Sequence, residues 1–192
     1  MKPLILASAS PRRRELIARL GVPFTVSPAN IDESMLPGEN ADAFARRIAR
    51  DKALKIAEAV DAGIVIGVDT IVALDGGVMG KPESRESARF MLEKLSGRTH
   101  EVISGVAVIE RPSGRTIVAS ATTVVRFKAL AALEIDRYIA SGEPQDKAGA
   151  YGIQGIASLF VEGISGCYYN VVGLPLNLLY ETLLEFGVEP AF

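Results

Sequence analysis

A chain of 192 residues, 48% hydrophobic and 23% charged, is long enough for a real core and has the composition of an ordinary globular protein. Its net charge of −2 excludes a global positive field that would draw it to nucleic acid or an anionic membrane, so any useful positive charge must be local. One cysteine, Cys167, and one histidine, His100, exclude an internal disulfide and a Cys/His zinc site, and they suit a reducing cytoplasm. The chain start does not read as a signal peptide, because Lys2 precedes only a short apolar run at 4–7. No stretch reaches transmembrane length, and the expected location is cytoplasmic.

Strand and helix patterns alternate along the chain, which predicts an α/β fold. Residues 4–7 read as a short buried strand. Ser10 then offers an N-cap, Pro11 suits the first helical position, and Gly21 suits the position after the helix end. A Pro-, Asn- and Asp-rich loop covers 27–42. A helix is expected over 43–59, with Phe44, Ile48, Lys52 and Ile56 in one row at steps of four. Gly63 opens an apolar strand through Val68 that ends at Asp69-Thr70, and Asp75-Gly76-Gly77 reads as a hairpin turn. Ala88, Met91, Leu92 and Leu95 predict a helix over 85–95, closed at Gly97. Two long strands are expected near 102–110 and 116–127, then a helix over 130–139. A polar, glycine-rich segment covers 143–155. A strand is expected at 157–161 and a last helix from Pro175 to Phe186.

Three arginines, Arg12, Arg13 and Arg14, fall in the first turn of the first helix. The macrodipole is already positive there, and each exposed cation costs about 0.3–1 kcal/mol. A bound phosphate reverses that sign, because backbone N–H groups, hydroxyls and guanidinium forks all favour it. The plainer alternative is a solvated basic face. Asp69 ends an apolar strand and is followed by another apolar run, where a carboxylate is costly to leave unpaired. Carboxyl ends of strands in α/β sheets are also where ligands bind. A general base, a metal ligand and a strand-end cap all fit that position. Lys52 either snorkels from the helix or reaches a phosphate.

Lys81, in Gly80-Lys81-Pro82, sits on a stiff loop open to a ligand or simply to solvent. Asp32 and Glu33 offer hard oxygen ligands for a cation such as Mg²⁺, or are merely solvated. Gln154, set among Gly149, Gly152 and Gly155, offers donors and an acceptor suited to a nucleobase edge. No P-loop and no Gly-x-Gly-x-x-Gly motif is present, and His100 reads as structural.

Taken together, several motifs in this order resemble the Maf family. They are Ser8-Ala9-Ser10-Pro11-Arg12-Arg13, Gly67-Val68-Asp69-Thr70, Gly80-Lys81-Pro82, Ser104-Gly105-Val106, the run Asp146-Lys147-Ala148-Gly149-Ala150-Tyr151-Gly152-Ile153-Gln154-Gly155, and Asn170-Val171-Val172-Gly173-Leu174-Pro175. Maf proteins are nucleoside triphosphate pyrophosphatases that are also linked to inhibition of septum formation. The resemblance implies a single domain of two lobes, a mixed-sheet α/β fold with a central substrate cleft, similar to inosine triphosphate pyrophosphatases. It implies Mg²⁺ or Mn²⁺ and a homodimer. By motif match, Asp69 takes the proton-acceptor role, and Ser8, Ser10, Arg13, Lys52 and Lys81 take phosphate-binding roles. Glu33 and Asp69 become the metal-side carboxylates. Arg12, Thr70 and Gln154 match the family's substrate-preference positions and look like the dTTP/UTP group rather than the group acting on 7-methyl-GTP. Ile156, beside the base-reading loop, and Cys167 depart from the family pattern. The competing reading is a nucleotide-binding regulator of cell division without important turnover, for which a carboxylate at Asp69 has no use.

Overall fold

The computed structural model describes residues 2–189 and 191. The chain alternates as predicted. Strand β1 (Leu4–Leu6) is followed by helix α1 (Pro11–Ala18), β2 (Phe24–Val26), α2 (Ala41–Ala57), β3 (Gly63–Leu74), β4 (Gly77–Met79) and α3 (Arg85–Leu95). Then come β5 (Thr99–Arg111), β6 (Thr116–Phe127), α4 (Ala132–Ala140), β7 (Val161–Ser165), α5 (Tyr168–Val172) and α6 (Leu176–Leu184). The strands make a seven-stranded mixed sheet in the order β2-β1-β3-β5-β6-β7, with β4 paired to β3. β1 is parallel to both β2 and β3, with Leu4 opposite Phe24 and Ile64. β3 with β4 and β6 with β7 are antiparallel. No helix among the described residues is long and apolar enough to cross a membrane.

The local rules that shape these elements are visible in the caps. Ser10 accepts from the Arg13 backbone N–H at the start of α1, Asn40 accepts from Ala43 N at the start of α2, and Ser84 with Ser87 forms a reciprocal capping box on α3. Gly21 follows α1 with φ 67°, the left-handed conformation that glycine adopts without a Cβ clash.

Two expectations are corrected. β3 does not end at Asp69 but runs unbroken to Leu74, so Asp69 is a mid-strand carboxylate. The polar pair Asp69-Thr70 interrupts the hydrophobic pattern without interrupting the ladder. The strand expected at 157–161 is a 3-10 helix, Ile156–Phe160, with the strand starting at Val161. Its two buried residues, Ala157 and Phe160, are three apart, while Leu159 is exposed; that is helical spacing, not the period of two that a strand needs. β2 and α5 have no counterpart in the sequence pattern, because three and five residues are too few to carry a periodic signal.

The chain divides into two compact units, residues 1–69, 104–121 and 173–192 forming one and 70–103 with 122–172 the other. Each has its own core. In the first unit Ile5, Ala49, Ala53, Ile56, Val65, Ala107 and Ile109 pack together; in the second Leu92, Leu95, Phe127, Ile135, Tyr138, Tyr151 and Phe160 do so.

Two glycines determine how closely α2 lies on the first unit's strands. A Cβ on Gly67 would come within 2.0 Å of the Ala49 carbonyl oxygen, and one on Gly105 within 2.2 Å of the Ala45 carbonyl oxygen. Both contacts are with backbone, so no side-chain rotation relieves them. An isolated glycine inside an apolar strand signals such an approach. Gly67 and Asp69 are two apart and share one face of β3, so the face that the glycine opens to α2 is also the face that carries Asp69.

Candidate active site in the first unit

Lys52 is the centre of the charged constellation in the first unit. The row Phe44, Ile48, Lys52 and Ile56 is buried along its whole length, with Lys52 8% exposed. Its ammonium does not snorkel. Nζ donates to Asp69 Oδ1 at 2.8 Å and lies 2.9 Å from Glu33 Oε2. Asp69 is itself buried, so this is a desolvated pair in which each charge makes the other tolerable. Glu33 is half-exposed, and its contact with Lys52 is correspondingly screened.

The loop carrying Glu33 is held by α2. Arg47 Nε donates to Glu39 Oε1 at 2.7 Å, and its Nη2 donates to Glu39 Oε2 at 2.8 Å and to the Ser34 carbonyl at 2.9 Å. This two-pronged clamp raises the affinity of the Arg47 guanidinium for its proton and lowers the Glu39 carboxyl below its usual range, each chiefly through their mutual hydrogen bond. Asp32, weighed with Glu33 as a cation ligand, serves the turn instead. Its Oδ1 accepts from Ser34 N at 2.9 Å and Ser34 Oγ at 2.6 Å, and those bonds hold its carboxyl below its usual range.

The start of α1 supplies the second group. Ser8 is buried, and its Oγ accepts from Ser10 N and Arg13 Nη1, both at 3.3 Å. Arg13 Nε donates to the Gly173 carbonyl at 2.9 Å. The guanidinium is thus fixed at two edges by neutral oxygens. Burial pulls its pKa below the ordinary arginine value, the charge of Asp69 opposes this, Arg12 reinforces it, and Glu33 opposes it. Arg13, Asp69 and Glu33 are therefore electrostatic neighbours. Arg12 is half-buried beside them.

The structure therefore gathers Ser8, Ser10, Arg12, Arg13, Glu33, Lys52 and Asp69 into the first unit, with the contacts just given. Thr70, Lys81 and Gln154 belong to the second unit. Thr70 is half-buried, while Lys81, after β4, and Gln154, at a turn, are exposed. Gly80, just before Lys81, accepts from Gly149 N at 3.0 Å, which ties the Lys81 loop to the segment carrying Gln154. His100, read as structural, is 2% exposed on β5, with Nε2 2.8 Å from the Tyr151 hydroxyl and an edge-on contact to Phe127. Burial lowers its pKa to about 4.

Sequence reasoning missed the Arg47–Glu39 clamp and the Gly173 carbonyl, which are tertiary partners with no spacing signal. Gly67 does carry a signal in the sequence, a lone glycine within the apolar run 64–68.

A mixed α/β sheet protein with a basic, serine-capped helix start next to a buried lysine–carboxylate pair defines a class suited to handling polyphosphates. Comparison with known proteins narrows this. Residues 3–186 match the family described as "Maf-like protein", and the chain belongs to the Maf family. It is 51% identical over 189 residues to a protein of Moorella thermoacetica named dTTP/UTP pyrophosphatase, covering 98% of this chain and 97% of that one. A protein of Desulforamulus reducens with the same name is 46% identical over 189 residues, covering 98% and 99%. One from Clostridium botulinum is 47% identical over 193 residues, covering 98% and 100%.

Proposed function

We propose that this protein is a nucleoside triphosphate pyrophosphatase that hydrolyses dTTP and UTP to the monophosphate and pyrophosphate, working in the cytoplasm as a homodimer with Mg²⁺ or Mn²⁺. The reaction and its substrates rest on the near-full-length likeness to relatives that carry the name dTTP/UTP pyrophosphatase. One observation carries the mechanism: the buried Asp69 carboxylate, held at Oδ1 by Lys52 at 2.8 Å.

In this reading the carboxylate of Asp69 accepts a proton from the attacking water. The water oxygen bonds to the α-phosphorus, the bond from that phosphorus to the bridging oxygen breaks, and pyrophosphate departs. Lys52 fixes the carboxylate's orientation, so that the base is in place before substrate arrives. Ser8, Ser10, Arg12, Arg13 and Lys81 bind the phosphates and neutralise charge that builds on the leaving group. Thr70 and Gln154, with Arg12, set base preference.

The donor set bears on the metal. Asp69 Oδ1 and Glu33 Oε2 both hold Lys52 Nζ, which leaves the second oxygen of each carboxylate for a cation, and no group of three or more His, Cys, Asp or Glu side chains that could hold a metal ion occurs among the described residues. Two carboxylates without further protein ligands fit Mg²⁺, which keeps several waters and takes substrate phosphates as ligands. Asp69 and Glu33 would hold it, and when bound it supplies charge neutralisation and acidifies the attacking water.

Pyrophosphate release from dTTP, UTP, dCTP, ATP, GTP and 7-methyl-GTP tests this reading, with Asp69→Asn alongside. Turnover is expected to concentrate on dTTP and UTP and to fall about 10²–10⁴-fold in the variant, with thermal unfolding still cooperative. Near-normal turnover in Asp69→Asn removes it as the base. Turnover centred on 7-methyl-GTP keeps the reaction and overturns the substrate assignment.

A further inference from the structure

The proposed reader of the base, Gln154, sits at the exposed tip of a turn in the second unit, and what holds that turn is one carboxylate. Glu143 Oε1 accepts from the Tyr138 hydroxyl at 3.0 Å, and Glu143 Oε2 accepts from Ile156 N at 2.9 Å. The Tyr138 hydroxyl in turn accepts from Gly152 N, at 3.3 Å. Residues 152 and 156 bracket Gln154 on both sides, so both ends of the turn are fastened to Glu143, one directly and one through Tyr138. The turn is closed across its base by Gly155 N donating to the Gly152 carbonyl at 3.1 Å.

The packing around these bonds agrees. A Cβ on Gly155 would lie 2.3 Å from both Glu143 carboxylate oxygens, so the glycine is what lets the carboxylate lie against the turn. Tyr138 is 1% exposed and contacts the Phe160 ring edge-on at 5.1 Å. Its hydroxyl is held protonated, first by burial and then by the charge of Glu143, which keeps it a donor to that carboxylate. Lys147 completes the collar. Its Nζ donates to the Glu143 carbonyl at 2.7 Å, and its stem passes over Gly152, where a Cβ would meet it at 2.6 Å. Tyr151 and Ile153 are buried on either side of Gly152, which leaves the Gln154 side chain as the polar group the turn presents.

We propose that Glu143 is a positioning residue for substrate specificity: it fastens both flanks of the Gln154 turn and so fixes where the glutamine amide meets the base. This rests on Gln154 reading the base. A glutamine on a loose turn still hydrogen-bonds, but it offers its donor and acceptor equally well to several bases. Loss of the fastening therefore costs discrimination more than turnover.

The test measures kcat and KM for dTTP and UTP against ATP and GTP in Glu143→Ala, Glu143→Gln, Gln154→Ala and the double variant Glu143→Ala/Gln154→Ala. Glu143→Gln keeps the side-chain volume and one acceptor, so it guards against a simple folding failure. The expected result is about a tenfold fall in the kcat/KM preference for the pyrimidine nucleotides in Glu143→Ala, the worth of one or two lost hydrogen bonds. The loss should appear mainly in KM, with a smaller effect in Glu143→Gln and faster amide exchange at Ile156. In the Gln154→Ala background, removing Glu143 should change the preference no further. Three outcomes overturn the proposal: an unchanged preference in Glu143→Ala, a loss equal for every nucleotide, or an effect undiminished without Gln154. If Gln154→Ala alone leaves the preference intact, the base-reading assignment fails, and it fails in a different variant from the one that tests Glu143.

Discussion

The two compact units bury polar groups by opposite means. In the first, Lys52 and Asp69 are charged and buried together, tolerable only because each neutralises the other at 2.8 Å. In the second, His100, Tyr151 and Tyr138 are buried neutral, packed edge-on among Phe127 and Phe160. Burial lowers the His100 pKa to about 4 and holds both tyrosine hydroxyls protonated. A charged buried pair is poor value as a stabiliser, since packed apolar residues of the same volume often do as well or better. A neutral hydrogen-bonded aromatic cluster adds packing as well as polar contacts. The first arrangement suits the phosphate chemistry proposed for that unit, and the second suits a rigid scaffold.

That contrast can be broken at its strongest point with Lys52→Met, which keeps the stem and removes the charge. It leaves Asp69 buried and unpaired, and the expected cost is about 3–5 kcal/mol of stability, read as a drop in the urea midpoint. Adding Asp69→Asn should recover much of that loss, because no uncompensated charge then remains. If the two substitutions add instead, the pair is not coupled as the geometry requires.

Gly67→Ala attacks the approach rather than the charges. Its new methyl meets the Ala49 carbonyl, so α2 must shift, at a cost of about 3 kcal/mol, the upper end of the usual range for overpacking. Lys52 should move off Asp69 with it, lowering turnover as well as the melting temperature. Stability lost with turnover unchanged would mean that the close approach of α2 serves packing alone.

The smallest effect sharpens the neutral half of the comparison. Because His100 titrates near 4 when folded and near 6.5 when unfolded, the unfolded chain binds more protons between those values. Stability therefore falls as pH drops through that window and is fully present above it. This group alone should account for roughly 1.5 kcal/mol between pH 6.5 and pH 5. His100→Asn should flatten the stability-against-pH curve by that amount, as measured by urea unfolding. Parallel curves for the two proteins would mean that the ring is not buried in its neutral form.

Much of this protein is legible before folding because it is local. The Ser10 cap with Pro11 behind it, the row of apolar positions in α2, and the Asp75-Gly76-Gly77 turn each follow from spacing within a few residues. The residue types of the candidate site were legible too, as motifs, and so was the odd presence of arginines at a helix start. What local pattern misjudged was Asp69, which lies inside β3 because pairing with neighbouring strands carries the ladder past a polar residue. It also misjudged the segment after Gln154, where burial of Ala157 and Phe160 against the second unit's core selected a helical turn.

Which groups meet was decided by tertiary structure. Lys52 and Asp69 are 17 residues apart, and Arg13 and Gly173 are 160 apart. No periodicity links such positions, and only the close approach that Gly67 permits turns a lysine that would otherwise reach for water into the partner of a buried carboxylate.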